Sequence, residues 1–246
     1  MKDNFSSNSA AYAQFRPGYP GAVFRHILQF VPERNHAWDC ATGNGQAAKE
    51  LAAYFTTVYA TDISANQLSN AAQKENIIYK LEPAEHTSFP DNFFDLVTVA
   101  QAIHWFDFDA FYNEVKRTSN ENGVLAVLGY GNMETSGELN DAVQYFYTKI
   151  VGPYWDKERR YIDEGYRTIP FPFTELETIA LKQHYAWTLE QLTGYLNTWS
   201  AVQHYIKANN ENPVKAFSSE LQKAWGNENT REIYFPILMR IGSIHK

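Results

Sequence analysis

Cysteine is almost absent. The single Cys40 excludes an internal disulfide framework and any cysteine-rich zinc site, and its place in the alternation of a short strand reads as a small buried hydrophobe. Long apolar runs are missing too: none reaches the roughly 18 residues that a membrane span needs, so no membrane is expected as a partner. Positive charge is in deficit, with 21 Lys and Arg against 28 Asp and Glu. The net charge of -7 offers no general attraction for nucleic acid, and Lys157-Glu-Arg159-Arg160 is the only dense basic cluster. The 7 histidines have no acidic or cysteine companions at metal-ligand spacing, which predicts no metal. An early charged-then-apolar segment is lacking, leaving a cytoplasmic location as the default expectation. Repeats, low-complexity tracts and long linkers are absent as well.

What is there is a chain of 246 residues, 44% hydrophobic and 15% aromatic, long enough to bury the core of one α/β domain. Helix and strand signals alternate through residue 130, the pattern of βαβ units on a mainly parallel sheet, whose ligands sit beyond the strands' carboxyl ends. The spacing predicts a helix near 20–30, strands near 37–41 and 58–62, and a helix near 64–74. Strands near 77–81 and 95–100, a helix near 108–118 and a strand near 124–129 follow. Residues 133–170 break the alternation with Tyr145, Phe146, Tyr147, Tyr154, Trp155, Tyr161 and Tyr166, an aromatic-rich helical insertion placed where a substrate lid would lie. Segment 174–187 and Ile233 to Ile244 read as closing strands, with a helix from Leu189 to Ala208 carrying Trp199 between them.

Residues 38–45, Trp-Asp-Cys-Ala-Thr-Gly-Asn-Gly, carry the densest chemistry. An apolar approach, an acid and two glycines mark a strand turning tightly into the Gln46 to Phe55 helix. Gly43 and Gly45 remove the Cβ atoms that would keep backbone from a ligand. The same stretch satisfies G-x-G-x-x-G/A, the dinucleotide pattern. Asp39 favours a different cofactor, because a carboxylate there repels a pyrophosphate but attracts a cationic α-amino group. Asp62, 19 residues beyond Gly43, suits a bidentate grip on vicinal ribose hydroxyls, which NAD and S-adenosylmethionine both carry. It also reads as a cap for the helix beginning near Ser64. Ala84-Glu85-His86 ahead of Phe89-Pro90, and Phe94-Asp95-Leu96-Val97 running to Gln101-Ala102-Ile103-His104-Trp105, load the third and fourth strand ends.

In that order, the D-x-A-x-G-x-G turn, Asp62, the A-E-x-x-x-F-P segment and the F-D-x-V strand resemble the class I S-adenosylmethionine-dependent methyltransferases. The resemblance covers roughly 12–131 and is nearest the small-molecule branch that includes trans-aconitate methyltransferase. Tyr12-Ala-Gln-Phe-Arg16-Pro17-Gly-Tyr19-Pro20, Ala102-Ile-His104-Trp105-Phe106-Asp107 and, more loosely, Thr198-Trp199-Ser200-Ala201-Val202 carry it. One departure is Ala41, where many members have the loop's first glycine.

The resemblance implies a Rossmann-like α/β fold: a mainly parallel seven-stranded sheet with helices on both faces, an antiparallel last strand and the helical insertion. It implies one domain over 1–246, with 1–20 as a cover segment and 133–170 as the inserted lid. S-adenosylmethionine is the implied cofactor. Asp39 and the backbone from Ala41 through Gly43 to Gly45 would approach its methionine part, Asp62 the ribose, and Ile63, Ala84 and Glu85 the adenine. Gln101 and Ala102 would lie near the sulfonium, and Tyr12, Arg16 and Tyr19 would cover the site. His104 and Trp105 would face the acceptor, with Tyr19 also on that side and His104 a conditional general base. The implied partner is a small-molecule acceptor, with a carboxylate favoured because Arg16 offers a guanidinium fork; the chain is expected as monomer or homodimer. A nicotinamide-dependent oxidoreductase and a non-catalytic cofactor-binding scaffold are the alternatives.

Overall fold

The structure, a computed structural model, describes residues 15–244. Helix α1 (Gly21–Ile27) leads into β1 (His36–Cys40), α2 (Gln46–Leu51), β2 (Thr57–Asp62), α3 (Ala65–Ser69) and β3 (Ile77–Leu81). The chain then crosses back to β4 (Phe94–Ala100), α4 (Phe108–Thr118) and β5 (Ser119–Tyr130). A helical excursion follows: α5 (Gly137–Tyr145), a π turn at Phe146–Ile150, a tight turn at Gly152–Tyr154, and α6 (Arg159–Asp163). Strands β6 (Thr174–Glu175) and β7 (Lys182–Trp187), helices α7 (Leu189–Asn197), α8 (Ser200–Asn209), α9 (Pro213–Ala216) and α10 (Ser218–Trp225), and β8 (Arg231–Ser243) complete it.

The sheet runs β3-β2-β1-β4-β5-β8-β6, with β7 also on β8. Strands β1 to β5 pair in parallel and β8 runs antiparallel to β5, β6 and β7. Strand order reverses between β1 and β4, which opens a crevice at their carboxyl ends, where doubly wound sheets bind ligands. β4 is buried along nearly its whole length, as its continuous apolar run dictates. Alternate residues feed two cores. Ala37, Leu96, Val124 and Ala126 pack with α1 and α2 on one face. Trp38, Cys40, Val97 and Val99 pack with Phe111 and Val115 of α4 on the other.

Asp95, beginning β4, explains why an acid stands at the foot of an apolar strand. Its Oδ2 accepts from the backbone of Asn35 (2.7 Å) and His36 (3.0 Å), and its Oδ1 from the Asn120 amide, so it ties the starts of β1, β4 and β5 together.

Three elements depart from the sequence expectation while the fold class holds. The sheet has eight strands among the described residues rather than seven, because the 174–187 segment leaves β8 between Leu176 and Leu181 and pairs with it as two separate strands. Helix α3 stops at Ser69, and beyond it the Tyr79 hydroxyl holds the Ala72 carbonyl at 2.5 Å. The Leu189 to Ala208 helix breaks at Thr198–Trp199. Trp199 takes an extended backbone and buries its indole among Phe146, Tyr147, Trp155 and Tyr195, an aromatic nest that a straight helix would not reach.

Candidate functional site

The loop after β1 is bent by three left-handed residues, Ala41 (φ 53°), Gly43 (φ 57°) and Gly45 (φ 81°). Asp39 sits beneath it, fully buried, with Oδ2 accepting from the Thr42 hydroxyl (2.5 Å) and the Ala48 amide (3.0 Å) and Oδ1 from the Thr98 hydroxyl (2.8 Å). Its carboxylate therefore shapes the loop from below and does not line the crevice. Gly45 also stays off the crevice wall. A Cβ there would stand 2.5 Å from the Tyr79 hydroxyl, so the glycine makes room for β3's tyrosine, not for a ligand.

Above the loop lies a cleft of about 900 Å³ including its open mouth, within the usual range for small-molecule sites. Its walls include Ala41, Gly43, Asp62, Ile63, Gln101, Ala102, Trp105, Arg16 and Tyr19, all singled out from the sequence. Thr42 and Asn44 of the expected 41–45 loop line it as well, and so do Gln46, Ser64, Gln67 and Tyr130, which were not foreseen. The helix start at Ser64 was the signal for two of them, since α3 carries both Ser64 and Gln67 onto the same rim. Asp62 spans the floor. Its Oδ2 accepts from the Gly43 amide (2.9 Å) and its Oδ1 from the Ser64 amide (2.8 Å), which fixes the orientation of the carboxylate at the cleft. Gln101 holds the other wall from a left-handed backbone (φ 57°), its Oε1 accepting from the Tyr130 amide at 2.8 Å.

Ala84 is buried and Glu85 accepts from the Asp107 amide at 3.3 Å; neither lines the cleft. Tyr12 lies outside the described residues.

A second cavity, about 430 Å³, adjoins the first. Arg16, Gln101 and Trp105 line both, and the second adds His104, Trp155, Asp156, Arg159, Ile162 and Ser200. Arg16 is held by donating to the Tyr130 hydroxyl (3.0 Å) and the Thr198 carbonyl (2.9 Å). His104 is buried, with Nδ1 3.3 Å from the Tyr166 hydroxyl. Burial, and then the charge of Arg159, push its pKa from 6.5 down to about 3, so the imidazole is neutral near pH 7. Tyr166 reaches it from a left-handed backbone (φ 62°), and its ring packs where a Cβ on Gly129 would collide at 2.6 Å. Arg159 comes from the excursion: Nε donates to the Tyr147 hydroxyl (2.9 Å), NH2 to Asn132, and the guanidinium lies over the Trp155 ring at 4.6 Å.

Comparison with known proteins agrees with this geometry. A family described as "Methyltransferase domain" matches residues 38–127, the stretch from β1 into β5. A Dictyostelium discoideum protein described as a methyltransferase is 36% identical over 96% of this chain and 93% of its own. A Saccharomyces cerevisiae protein described as an S-adenosylmethionine-dependent methyltransferase is 25% identical over 89% of each chain. Among solved structures, one described as a type II methyltransferase from Anaeromyxobacter dehalogenans superposes with a TM-score of 0.87 at 37% identity. It covers 94% of this chain and 99% of that one.

Proposed function

The chain belongs to the class I S-adenosylmethionine-dependent methyltransferases, and on that premise we propose that the first cleft holds the cofactor and the second cavity a small-molecule acceptor bearing a carboxylate. The observation that carries this reading is Asp62. Its carboxylate lines the cleft, oriented by the Gly43 and Ser64 amides, and an acid so placed suits the vicinal hydroxyls of a ribose. Ile63 and the small Ala41, Ala100 and Ala102 give the flat, apolar walls that an adenosyl group needs. When bound, S-adenosylmethionine supplies an electrophilic methyl group on a sulfonium, open to direct displacement. A nicotinamide oxidoreductase and a non-catalytic scaffold give way to the family assignment.

The protein's part is then to orient the acceptor and exclude water. The residues shared by the two cavities, Arg16, Gln101 and Trp105, stand where the reacting groups would meet. Arg16 and Arg159 give the acceptor cavity a cationic lining that matches a carboxylate. His104, with a pKa near 3, is a weak base. An acceptor that needs deprotonation would gain little from it, whereas a carboxylate arrives ionised. We assign His104 the orientation of the acceptor rather than the removal of its proton. In the same reading 133–170 is the substrate lid of a single-domain enzyme.

Calorimetric titration with S-adenosylhomocysteine tests the cofactor half, with NAD as control. The expected result is micromolar binding of the former, no binding of NAD, and a loss of about 1 to 3 kcal/mol in Asp62→Ala, the scale of hydrogen bonds to a charged group. Equal affinity in the Asp62→Ala protein would remove Asp62 from the site.

A further inference from the structure

Asp156 is a charge in the acceptor cavity that a carboxylate alone does not explain. It lies between the Gly152–Tyr154 turn and α6 and lines the cavity together with Arg159. Its Oδ2 is buried and accepts no hydrogen bond among the described residues. Nδ1 of His204 stands 3.9 Å from that oxygen, beyond hydrogen-bond reach. That His204 nitrogen, Nδ1, is 2.9 Å from the Tyr154 carbonyl. A carbonyl only accepts, so the Nδ1 proton is directed there and not at Asp156.

Arg159 stands three residues further on and does not neutralise Asp156. Its ion pair is with Asp163 at 3.5 Å. Its Nε and NH2 are committed to Tyr147 and Asn132, and its NH1 has no hydrogen-bond partner among the described residues. Two opposite charges thus line one cavity without pairing, each with hydrogen-bonding capacity left. A buried carboxylate oxygen without a donor is costly, and native proteins rarely keep one unless a ligand or water completes it. An open cavity between such groups, about 430 Å³ including its mouth, offers a small molecule both complements.

We propose that Asp156 determines acceptor specificity: the cavity takes a molecule that carries a hydrogen-bond donor, an ammonium or a hydroxyl, close to an anionic group, with the donor meeting Asp156 and the anion meeting Arg159. This rests on the second cavity being the acceptor site, as proposed above.

Three probes sharing one four-carbon dicarboxylate skeleton test it: succinate, with no donor, malate, with a hydroxyl, and aspartate, with an ammonium. Each is titrated by calorimetry into the full chain saturated with S-adenosylhomocysteine, in the wild type and in Asp156→Asn. At least one donor-bearing probe should bind about tenfold or more tightly than succinate. Asp156→Asn should erase most of that preference while leaving the affinities for succinate and S-adenosylhomocysteine within about twofold. Malate against aspartate tells hydroxyl from ammonium. Equal binding of the three probes, binding of none, or a preference that survives Asp156→Asn would overturn the proposal, the last result meaning that water satisfies Asp156. The S-adenosylhomocysteine titration reports folding and separates the two readings. If it binds and no donor preference appears, only the Asp156 assignment falls; if it does not bind, the cofactor reading falls first.

Discussion

Burial lifts the Asp39 carboxyl from 3.8 to about 6, even though Thr42, Thr98 and Ala48 all donate to it. The group is protonated in both folded and unfolded chains well below pH 4. As pH rises through about 6 the folded state must ionise a buried acid that the unfolded chain ionises freely, so this residue withdraws stability on the alkaline side of that window. At 1.36 kcal/mol per pKa unit the withdrawal amounts to roughly 3 kcal/mol. In Asp39→Asn the amide can keep the Thr42 and Ala48 hydrogen bonds and donate to Thr98. Urea denaturation of both proteins at pH 4 and pH 7 should show the stability gap moving in favour of the Asn variant by up to about 3 kcal/mol on going to neutrality, whatever its sign at pH 4. A gap independent of pH would mean that Asp39 stays near its ordinary pKa. Residue type and position made Asp39 visible in the sequence, but not its depth: the Thr42 and Thr98 hydroxyls that enclose it come from the loop and from the neighbouring strand, and only the sheet register brings Thr98 beside it. Ala41 was visible as a departure from glycine, and its φ of 53° gives the reason glycine is common there.

At the scale of elements, helix α4 fixes the segment after β3. Burial alone would raise the pKa of Glu114, but hydrogen bonds from Arg117 and from the hydroxyl and amide of Thr87 outweigh it and hold the carboxyl below its usual range. Arg117 extends the clamp to the Phe89 carbonyl at 2.8 Å and to Asp91 at 2.7 Å. A depressed carboxyl pKa means stability that is fully present above the unfolded value of 4.5 and is lost as pH falls through the folded value. Glu114→Gln should cost about 1 to 3 kcal/mol at pH 7 by urea denaturation, and the difference from wild type should shrink as pH drops below 4.5. A constant difference across that range would place the effect in packing rather than charge. The elements themselves were legible wherever local pattern and tertiary context agree, as in β1 to β4 and α4, whose apolar periodicity matches the faces they bury. Legibility failed where distant residues decide. The break at Thr198–Trp199 is made by aromatic rings of the 137–163 excursion, and the split of the sixth strand by how β8 pairs along its length.

At the scale of the whole molecule, the first cleft and the second cavity draw most of their walls from different parts of the chain. Strands β1 to β5 and their loops make most of the cleft, which is the part the family pattern spans. Much of the second cavity comes from the excursion and α8, where the sequence offers only the aromatics, the Lys157-Glu-Arg159-Arg160 cluster and the loosely similar Thr198-Trp199-Ser200-Ala201-Val202 stretch. Arg240 on β8 holds the segment that follows the excursion. Its NH1 donates to the carbonyls of Tyr166 (3.1 Å) and Ile169 (2.6 Å), its other nitrogens meet Glu175, and its guanidinium covers the Phe171 ring at 4.3 Å. It thereby fixes the left-handed Tyr166 whose hydroxyl meets His104. Arg240→Met keeps much of the side-chain bulk and removes those donors. Hydrogen exchange should then quicken across 159–171 well beyond any change in β1 and β4, because local opening follows the loss of the hydrogen bonds that close it. The affinity for S-adenosylhomocysteine should stay within about twofold, since Arg240's hydrogen bonds among the described residues go to Tyr166, Ile169 and Glu175, which do not line the cleft. Uniform acceleration over the whole chain would instead show Arg240 to be a general stabiliser of the sheet, and a parallel loss of cofactor affinity would show that the two cavities are not built independently.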